Sequence, residues 1–340
     1  MIRLPRFRYL APASLAEAAA RLADAPGDAM ILAGGTDLIP NMKRRQQVPR
    51  ELIGLRRIAE LQTIVNGDGL RIGAGVTLTD LARDARVQRV CPGLFQAAAQ
   101  VATPHLRNMA TVGGNLCLDT RCTYYDQSFE WRRAINFCMK KDGDTCWVAT
   151  SSPRCLAVSS TDTAPMLQAL GATVRLVSTQ GERSIAIGDL YANDGMRYLT
   201  RRPDEILADV TVPDPAGWRS TYWKLRRRGS FDFPVAAAAV AARIDAERRV
   251  EDVRIVLGAV ASRPMPSPAA EARLRGEILT DDAIAAAADA AYAVAKPMDN
   301  TDYELVWRKK MIRALVTYAL QEVRGDDMRA QRLKIARQVI

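Results

Sequence analysis

The chain has 340 residues, 48% apolar and 25% charged, an ordinary globular composition with length for two or three packed domains. Its 48 Lys and Arg outnumber 38 Asp and Glu, but the basic residues are scattered (43–45, 201–202, 226–228), with no basic arm, helix-turn-helix signature or zinc-finger spacing, so nucleic acid is not an expected partner. The longest apolar run, 233–242, is far short of a membrane span, and Arg3, Pro5, Arg6 and Arg8 break up any leader, so a soluble cytoplasmic protein is expected.

In chain order, residues 14–25 predict a helix: Ser14 can cap it, Glu17 holds the capping-box position, and Leu15, Ala18, Ala19 and Leu22 form one stripe. Residues 29–40 read as a strand, a Gly-Gly turn and the start of a short helix. Residues 70–78 alternate like a strand, a capped helix follows, and residues 94–102 are helical up to Pro104. Residues 172–178 and 206–213 predict strands, the first closed by a turn at Gln180-Gly181. A second domain begins near Trp218, with strands on either side of the apolar 235–244 stretch and an Ala-rich helix capped by Thr280 or Asp281. In the closing helix Leu305, Ile312, Leu315, Val316, Ala319 and Leu320 recur at helical spacing and should bury one face. Residues 325–340 are polar and charged and read as a loosely held tail.

Two glycine pairs stand out: Ala33-Gly34-Gly35-Thr36-Asp37-Leu38 after an apolar strand, and Ala110-Thr111-Val112-Gly113-Gly114-Asn115. Paired glycines let backbone approach a charged group and aim successive N–H groups at it, as a pyrophosphate requires; each pair is equally an ordinary tight turn. No G-x-G-x-x-G or GxxxxGK[ST] occurs, so neither a Rossmann fingerprint nor a P-loop is present.

The order AGGTDL, LRIGAGVTL (70–78), RNMATVGGNL, SSTDTAPMLQALGATVRL (159–176), DEILADVTVP (204–213) and YWKLRRRGSFDFPVAAAAVA (222–241) resembles the flavoprotein subunits of the xanthine oxidase and carbon monoxide dehydrogenase family, over nearly the whole chain to about residue 323. The resemblance implies an α+β fold: a two-part, non-Rossmann FAD-binding domain of the carbon monoxide dehydrogenase flavoprotein type (subdomains 1–56 and 57–216), then an α+β C-terminal domain (217–324) and the tail. It implies that Ala33, Gly34, Gly35, Thr36, Asp37 and Leu38, with Ala110, Thr111, Gly113, Gly114 and Asn115, cradle the FAD pyrophosphate. Asp162 matches the aspartate that hydrogen-bonds the ribityl or flavin region, and Leu207 and Lys224 match positions lining the isoalloxazine pocket. A lysine there would stabilise the anionic reduced flavin. Read without the family, Asp162 is a helix N-cap and Lys224 a surface strand lysine.

Residues 120–157 form an insert between TVGGN and SSTD. It holds Cys122, Cys138, Cys146 and Cys155, spaced C-x15-C-x7-C-x8-C, and six of the chain's 20 aromatics, so it should pack rather than move freely. Four thiolates can ligate an iron–sulfur cluster or a structural zinc; the spacing matches neither a zinc ribbon nor a ferredoxin run and leaves buried free thiols open. The insert, with RCTYYDQSFEWRRA, resembles the β subunits of the 4-hydroxybenzoyl-CoA reductases, an anaerobic branch of the family. That resemblance implies a [4Fe–4S] cluster on Cys122, Cys138, Cys146 and Cys155, electrons drawn from ferredoxin, and partners comprising a [2Fe–2S] small subunit and a molybdopterin-binding large subunit that performs the substrate chemistry. No catalytic residue is expected in this chain. Cys117 is assigned to packing, and Cys91 to a structural or free thiol. His105, the one histidine, is expected to make a hydrogen bond in a loop. Two other readings compete: the FAD subunit of a different molybdenum hydroxylase, linked to NAD or a quinone, and a non-enzymatic zinc-stapled adaptor.

Overall fold

The computed structural model describes residues 3–67 and 69–335. Three sheets follow one another along the chain. The first is parallel, in the order β1-β3-β2, from β1 (Arg8–Leu10), β2 (Ala29–Leu32) and β3 (Glu51–Gly54). The helix α1 (Leu15–Asp24) covers it. Ser14 Oγ accepts the Glu17 N–H at 3.1 Å and Leu15, Ala18, Ala19 and Leu22 are buried, as the cap and stripe predict, while the Glu17 carboxylate accepts from the Ala13 N–H rather than the Ser14 N–H of a full capping box. The helix α2 (Leu38–Lys43) follows the first glycine pair.

The second sheet is antiparallel, order β4-β5-β8-β6-β7, from β4 (Ile64–Gly67), β5 (Gly69–Gly73), β6 (Thr173–Ser178), β7 (Gly181–Ala186) and β8 (Ile206–Val212). Between β5 and β6 lie α3 (Leu78–Arg83), α4 (Ala85–Val90), α5 (Pro92–Ala99), α6 (Pro104–Arg107), α7 (Val112–Leu116), α8 (Phe129–Ala134) and α9 (Thr163–Ala169). The helix expected after residue 77 is two helices, because Asp84 leaves the helical conformation and its carboxylate caps the amides of Arg86 and Val87. The second glycine pair also departs from expectation. Gly113 and Gly114 are not a turn but the first residues of α7, with Thr111 Oγ1 accepting the Gly114 N–H at 3.0 Å.

The third sheet, antiparallel and ordered β12-β11-β10-β9, comprises β9 (Trp218–Leu225), β10 (Ala236–Ile244), β11 (Val250–Gly258) and β12 (Met265–Pro266). Its central strand β10 is nearly all alanine because both faces are covered. Ala237, Ala239 and Ala241 join the core of the second sheet, while Ala236, Ala238, Val240 and Ala242 join the core beneath α11 (Asp281–Val294) and α12 (Leu305–Arg324). Small side chains let layers close on both sides, and the strand's lack of polar alternation follows from the same cause. The short α10 (Pro268–Glu271) precedes α11, which Thr280 caps. In α12 the stripe from Ile312 to Leu320 is buried as expected, but Leu305 is exposed, as are Val306 and Trp307 beside it.

The tail expectation is corrected. Gly325 caps α12 in the left-handed region, and α13 (Arg329–Lys334) folds back. Its Arg332 is buried, bonds Glu322, Thr221, Gln96 and the Tyr222 carbonyl, and lies 4.1 Å from the Trp223 ring. A polar sequence thus docks through one buried guanidinium; residues 336–340 of the expected tail lie outside the described residues. Among the described residues no helix is long and apolar enough to cross a membrane.

Candidate functional site: a glycine cradle and a cysteine cage

The two glycine segments lie against each other. A Cβ at Gly34 would sit 1.9 Å from the Met109 carbonyl oxygen, and one at Gly113 would sit 2.7 Å from the Ala74 Cβ, so neither backbone approach tolerates a side chain. Among the described residues the amides of Gly34, Gly35, Thr36 and Asp37 have no protein acceptor. Four successive unpartnered N–H groups on a half-buried turn form a nest for an anion, and the chemistry of this cradle fits a pyrophosphate. Ala33 lies on the same surface, 3.9 Å from a Cβ built on Gly114, and Leu38 begins α2. Ala110 spends its carbonyl on the Leu78 amide at 2.8 Å. The Asp37 carboxylate is committed elsewhere: it pairs with Arg121 and accepts the Asp119 N–H.

Asn115 carries the cradle inward. Its Oδ1 accepts from Thr161 Oγ1 (2.9 Å), the Thr163 N–H (3.2 Å) and Thr163 Oγ1 (2.6 Å). Three donors on one oxygen fix the segment that bears Asp162. Asp162 occupies the N-cap position of α9 but makes no capping bond. Its carboxylate instead accepts from Tyr222 OH at 2.8 Å and Lys224 Nζ at 2.9 Å. Lys224 is fully buried on β9 and also donates to the Gln100 carbonyl at 3.1 Å. Burial pushes the Asp162 carboxyl up and the Lys224 ammonium down, each opposed by the other's charge. Both local readings, a helix cap and a surface lysine, are therefore displaced by one buried pair.

Leu207 is buried in β8, in the core that also holds Tyr222 and Val112. Nothing in the sequence singles out Gln100. It is buried, and neither atom of its side-chain amide has a partner. An unpartnered donor and acceptor beside Lys224 suit a heterocycle edge, but nothing in the pattern at the end of α5 signals it. His105 stands exposed in α6 rather than bonded in a loop.

The insert has little regular structure beyond α8, yet its cysteines converge. Cys122, Cys138, Cys146 and Cys155 are all buried and line one cavity with Tyr125, Lys140 and Trp147. The cavity is about 10 Å³, room for one water molecule at most, so it is nearly dry. None of the six cysteines is in a disulfide. Burial first, then the neighbouring thiols, push Cys122 up to about 12, and burial pushes Cys155 up to about 11. Among the described residues no three His, Cys, Asp or Glu side chains converge tightly enough for a single metal ion. Cys91 is buried in the core and Cys117 packs against it, the structural places assigned to them. The insert's aromatics pack only in part: Tyr125 is buried, while Phe129, Trp131 and Trp147 are exposed.

What holds the insert is polar. Arg121 bonds Asn41 and Asp126 besides Asp37, Gln46 donates to the Tyr125 carbonyl, and the Thr123 amide donates to the Asn300 carbonyl at 3.0 Å. Arg121 also lies 4.9 Å from the Phe233 ring. The cage is thus tied to the cradle on one side and to the C-terminal domain on the other.

Known families agree with this layout. The FAD binding domain in molybdopterin dehydrogenase matches residues 5–215, and the CO dehydrogenase flavoprotein C-terminal domain matches residues 220–323. The chain is 32% identical to the aldehyde oxidoreductase FAD-binding subunit PaoB of Escherichia coli (92% of this chain, 98% of that one). It is 30% identical to the carbon monoxide dehydrogenase medium chain of Hydrogenophaga pseudoflava (93% and 96%). In three dimensions it superposes on reconstituted CO dehydrogenase from Oligotropha carboxidovorans with a TM-score of 0.78 at 28% identity (95% and 99% covered). Quinoline 2-oxidoreductase from Pseudomonas putida 86 gives 0.73 at 28% identity (95% and 98%). The chain belongs to the FAD-binding medium subunits of the carbon monoxide dehydrogenase and xanthine oxidase family, the molybdenum hydroxylases.

Proposed function

We propose that this chain is the FAD- and [4Fe–4S]-carrying electron-transfer subunit of a molybdenum-containing 4-hydroxybenzoyl-CoA reductase. Electrons pass from ferredoxin through this subunit to [2Fe–2S] clusters on a small subunit and then to a molybdopterin-binding large subunit. There a two-electron, two-proton reduction removes the phenolic hydroxyl as water and leaves benzoyl-CoA. The observation that carries the reading is the convergence of four insert thiols on one nearly dry cavity. Thiolate sulfur is the ligand class of iron–sulfur clusters. A structural zinc is the other group that four thiolates could hold, with its donors within about 2.3 Å of one point. The likeness of the insert RCTYYDQSFEWRRA to the 4-hydroxybenzoyl-CoA reductase β subunits favours the cluster over the zinc of an adaptor protein.

The division of labour follows from the residues. The cradle amides at 34–37 would hold the pyrophosphate, and Asn115 fixes the segment that carries Asp162. Lys224 supplies a buried cation, and Leu207 an apolar wall, on the flavin side. Bound FAD accepts and releases electrons singly or in pairs, which lets one subunit join carriers of different stoichiometry. The subdomains at 1–56 and 57–216, the insert at 120–157 and the domain at 217–324 are the units of this reading. The net charge of +10 favours an acidic ferredoxin as donor, and electron delivery should then slow as salt rises. A ferredoxin donor and a CoA thioester both suit the cytoplasm.

A second reading keeps the flavin and changes the reaction, making the chain the FAD subunit of another molybdenum hydroxylase that reduces NAD or a quinone. The relatives favour it by their range, since their names cover an aldehyde, carbon monoxide and nicotine. Anaerobic purification of the assembled complex separates the two. The first reading expects about four iron and four sulfide per FAD beyond those of the small subunit's [2Fe–2S] clusters, no zinc, and reoxidation of the reduced complex by 4-hydroxybenzoyl-CoA. No iron beyond that of the [2Fe–2S] clusters, with flavin bleached directly by a reduced pyridine nucleotide, would favour the second.

A further inference from the structure

We propose that Lys140 sets the reduction potential of the electron carrier held by Cys122, Cys138, Cys146 and Cys155, as a fixed buried charge and not as a ligand. The inference rests on the cluster assigned above. Lys140 lines the same cavity as the four thiols, and its side chain is only 6% exposed. Its Nζ donates to Asp119 Oδ1 at 2.8 Å, Thr120 Oγ1 at 2.7 Å and the Gly195 carbonyl at 2.6 Å. An ammonium has three hydrogens, and all three point at oxygen. None remains for sulfur, so the lysine acts on the cage through its field.

The orientation of the pair gives that field its sign. Lys140 faces the cavity, whereas Asp119 is not among the lining residues and is turned to Tyr125 OH, 3.0 Å away. The rings of Tyr125 and Tyr198 lie 4.8 and 5.3 Å from Nζ and hold the cation in place. In a nearly dry site little water screens it. Four thiolates concentrate negative charge, and an electron entering the cage adds one more. A cation at the wall stabilises the reduced state over the oxidised one, so removing it makes the carrier harder to reduce.

The test is an anaerobic redox titration of the whole chain, following the cluster by paramagnetic resonance and the flavin by absorbance. The variant is Lys140→Met with Asp119→Asn, so that no unpaired carboxylate is left buried. Iron, sulfide and flavin content should match the parent and the flavin midpoint should not move. The equilibrium constant for reducing the cluster should fall at least tenfold, about 59 mV for a one-electron couple. Asp119→Asn alone, which leaves the cation unopposed, should shift the cluster midpoint the other way and serves if the double variant does not fold. An unmoved midpoint in a folded, iron-loaded variant overturns the role of Lys140 alone. A parent protein that takes up no iron removes the cluster assignment, and this inference falls with it.

Discussion

The cradle at 33–38 and 110–115 presents backbone, whereas the insert at 120–157 presents side chains. In the cradle, glycine is required because another main chain lies 1.9 Å from where a Cβ would be, and the anion would be met by amides. In the insert almost no regular structure exists, and four thiols are brought together by ion pairs and hydrogen bonds reaching to residues 37, 46 and 300. A backbone site is specified locally and is intolerant of added atoms. A side-chain site is specified by distant partners and is intolerant of lost charge.

That contrast can be broken at its strongest point by Lys224→Met, which leaves Asp162 buried without its cation. Loss of about 3–5 kcal/mol of stability is expected in denaturant unfolding, with most of it restored by Asp162→Asn in the same chain. No restoration would mean that the pair contributes packing rather than charge. Gly34→Ala comes next: the new methyl must displace the Met109 carbonyl, and about 2–3 kcal/mol of overpacking should appear together with loss of most of the bound flavin, measured by extraction. Iron content should fall far less, and an equal loss of both would remove the distinction between the two regions.

Asp37→Asn probes the joint between them, since Asp37 belongs to the cradle and pairs with Arg121 of the insert. About 2 kcal/mol of destabilisation is expected, and a double-mutant cycle with Arg121→Met should give a coupling of about 1 kcal/mol. Additive effects would mean that the pair does not join the regions. His105→Ala should change stability by less than about 0.5 kcal/mol and leave flavin content unaltered, because the ring is exposed; a loss of flavin would make it a contact residue.

What could be read in the sequence follows the same divide. Caps at Ser14 and Thr280 and the glycine pairs are legible because each is determined within a few residues. The pairing of Asp162 with Lys224 spans 62 residues and that of Arg332 with Gln96 spans 236; no local pattern carries either, and only the family resemblance brings Asp162 and Lys224 to one site. Gly113 and Gly114 looked like a turn because Gly-Gly is a helix-weakening signal, and Thr111 as a cap overrides it. The polar tail looked loose because burial of Arg332 depends on partners in β9, α5 and α12. Lys140 and Gln100 carry no local signal for the same reason: their neighbours come from elsewhere in the chain.

The direct test of the central claim is electron paramagnetic resonance of dithionite-reduced protein prepared without oxygen, in the parent and in Cys138→Ser. The account predicts a cluster signal in the parent, stoichiometric with flavin, and its loss in the variant with flavin retained. Full flavin with no signal in the parent would contradict it.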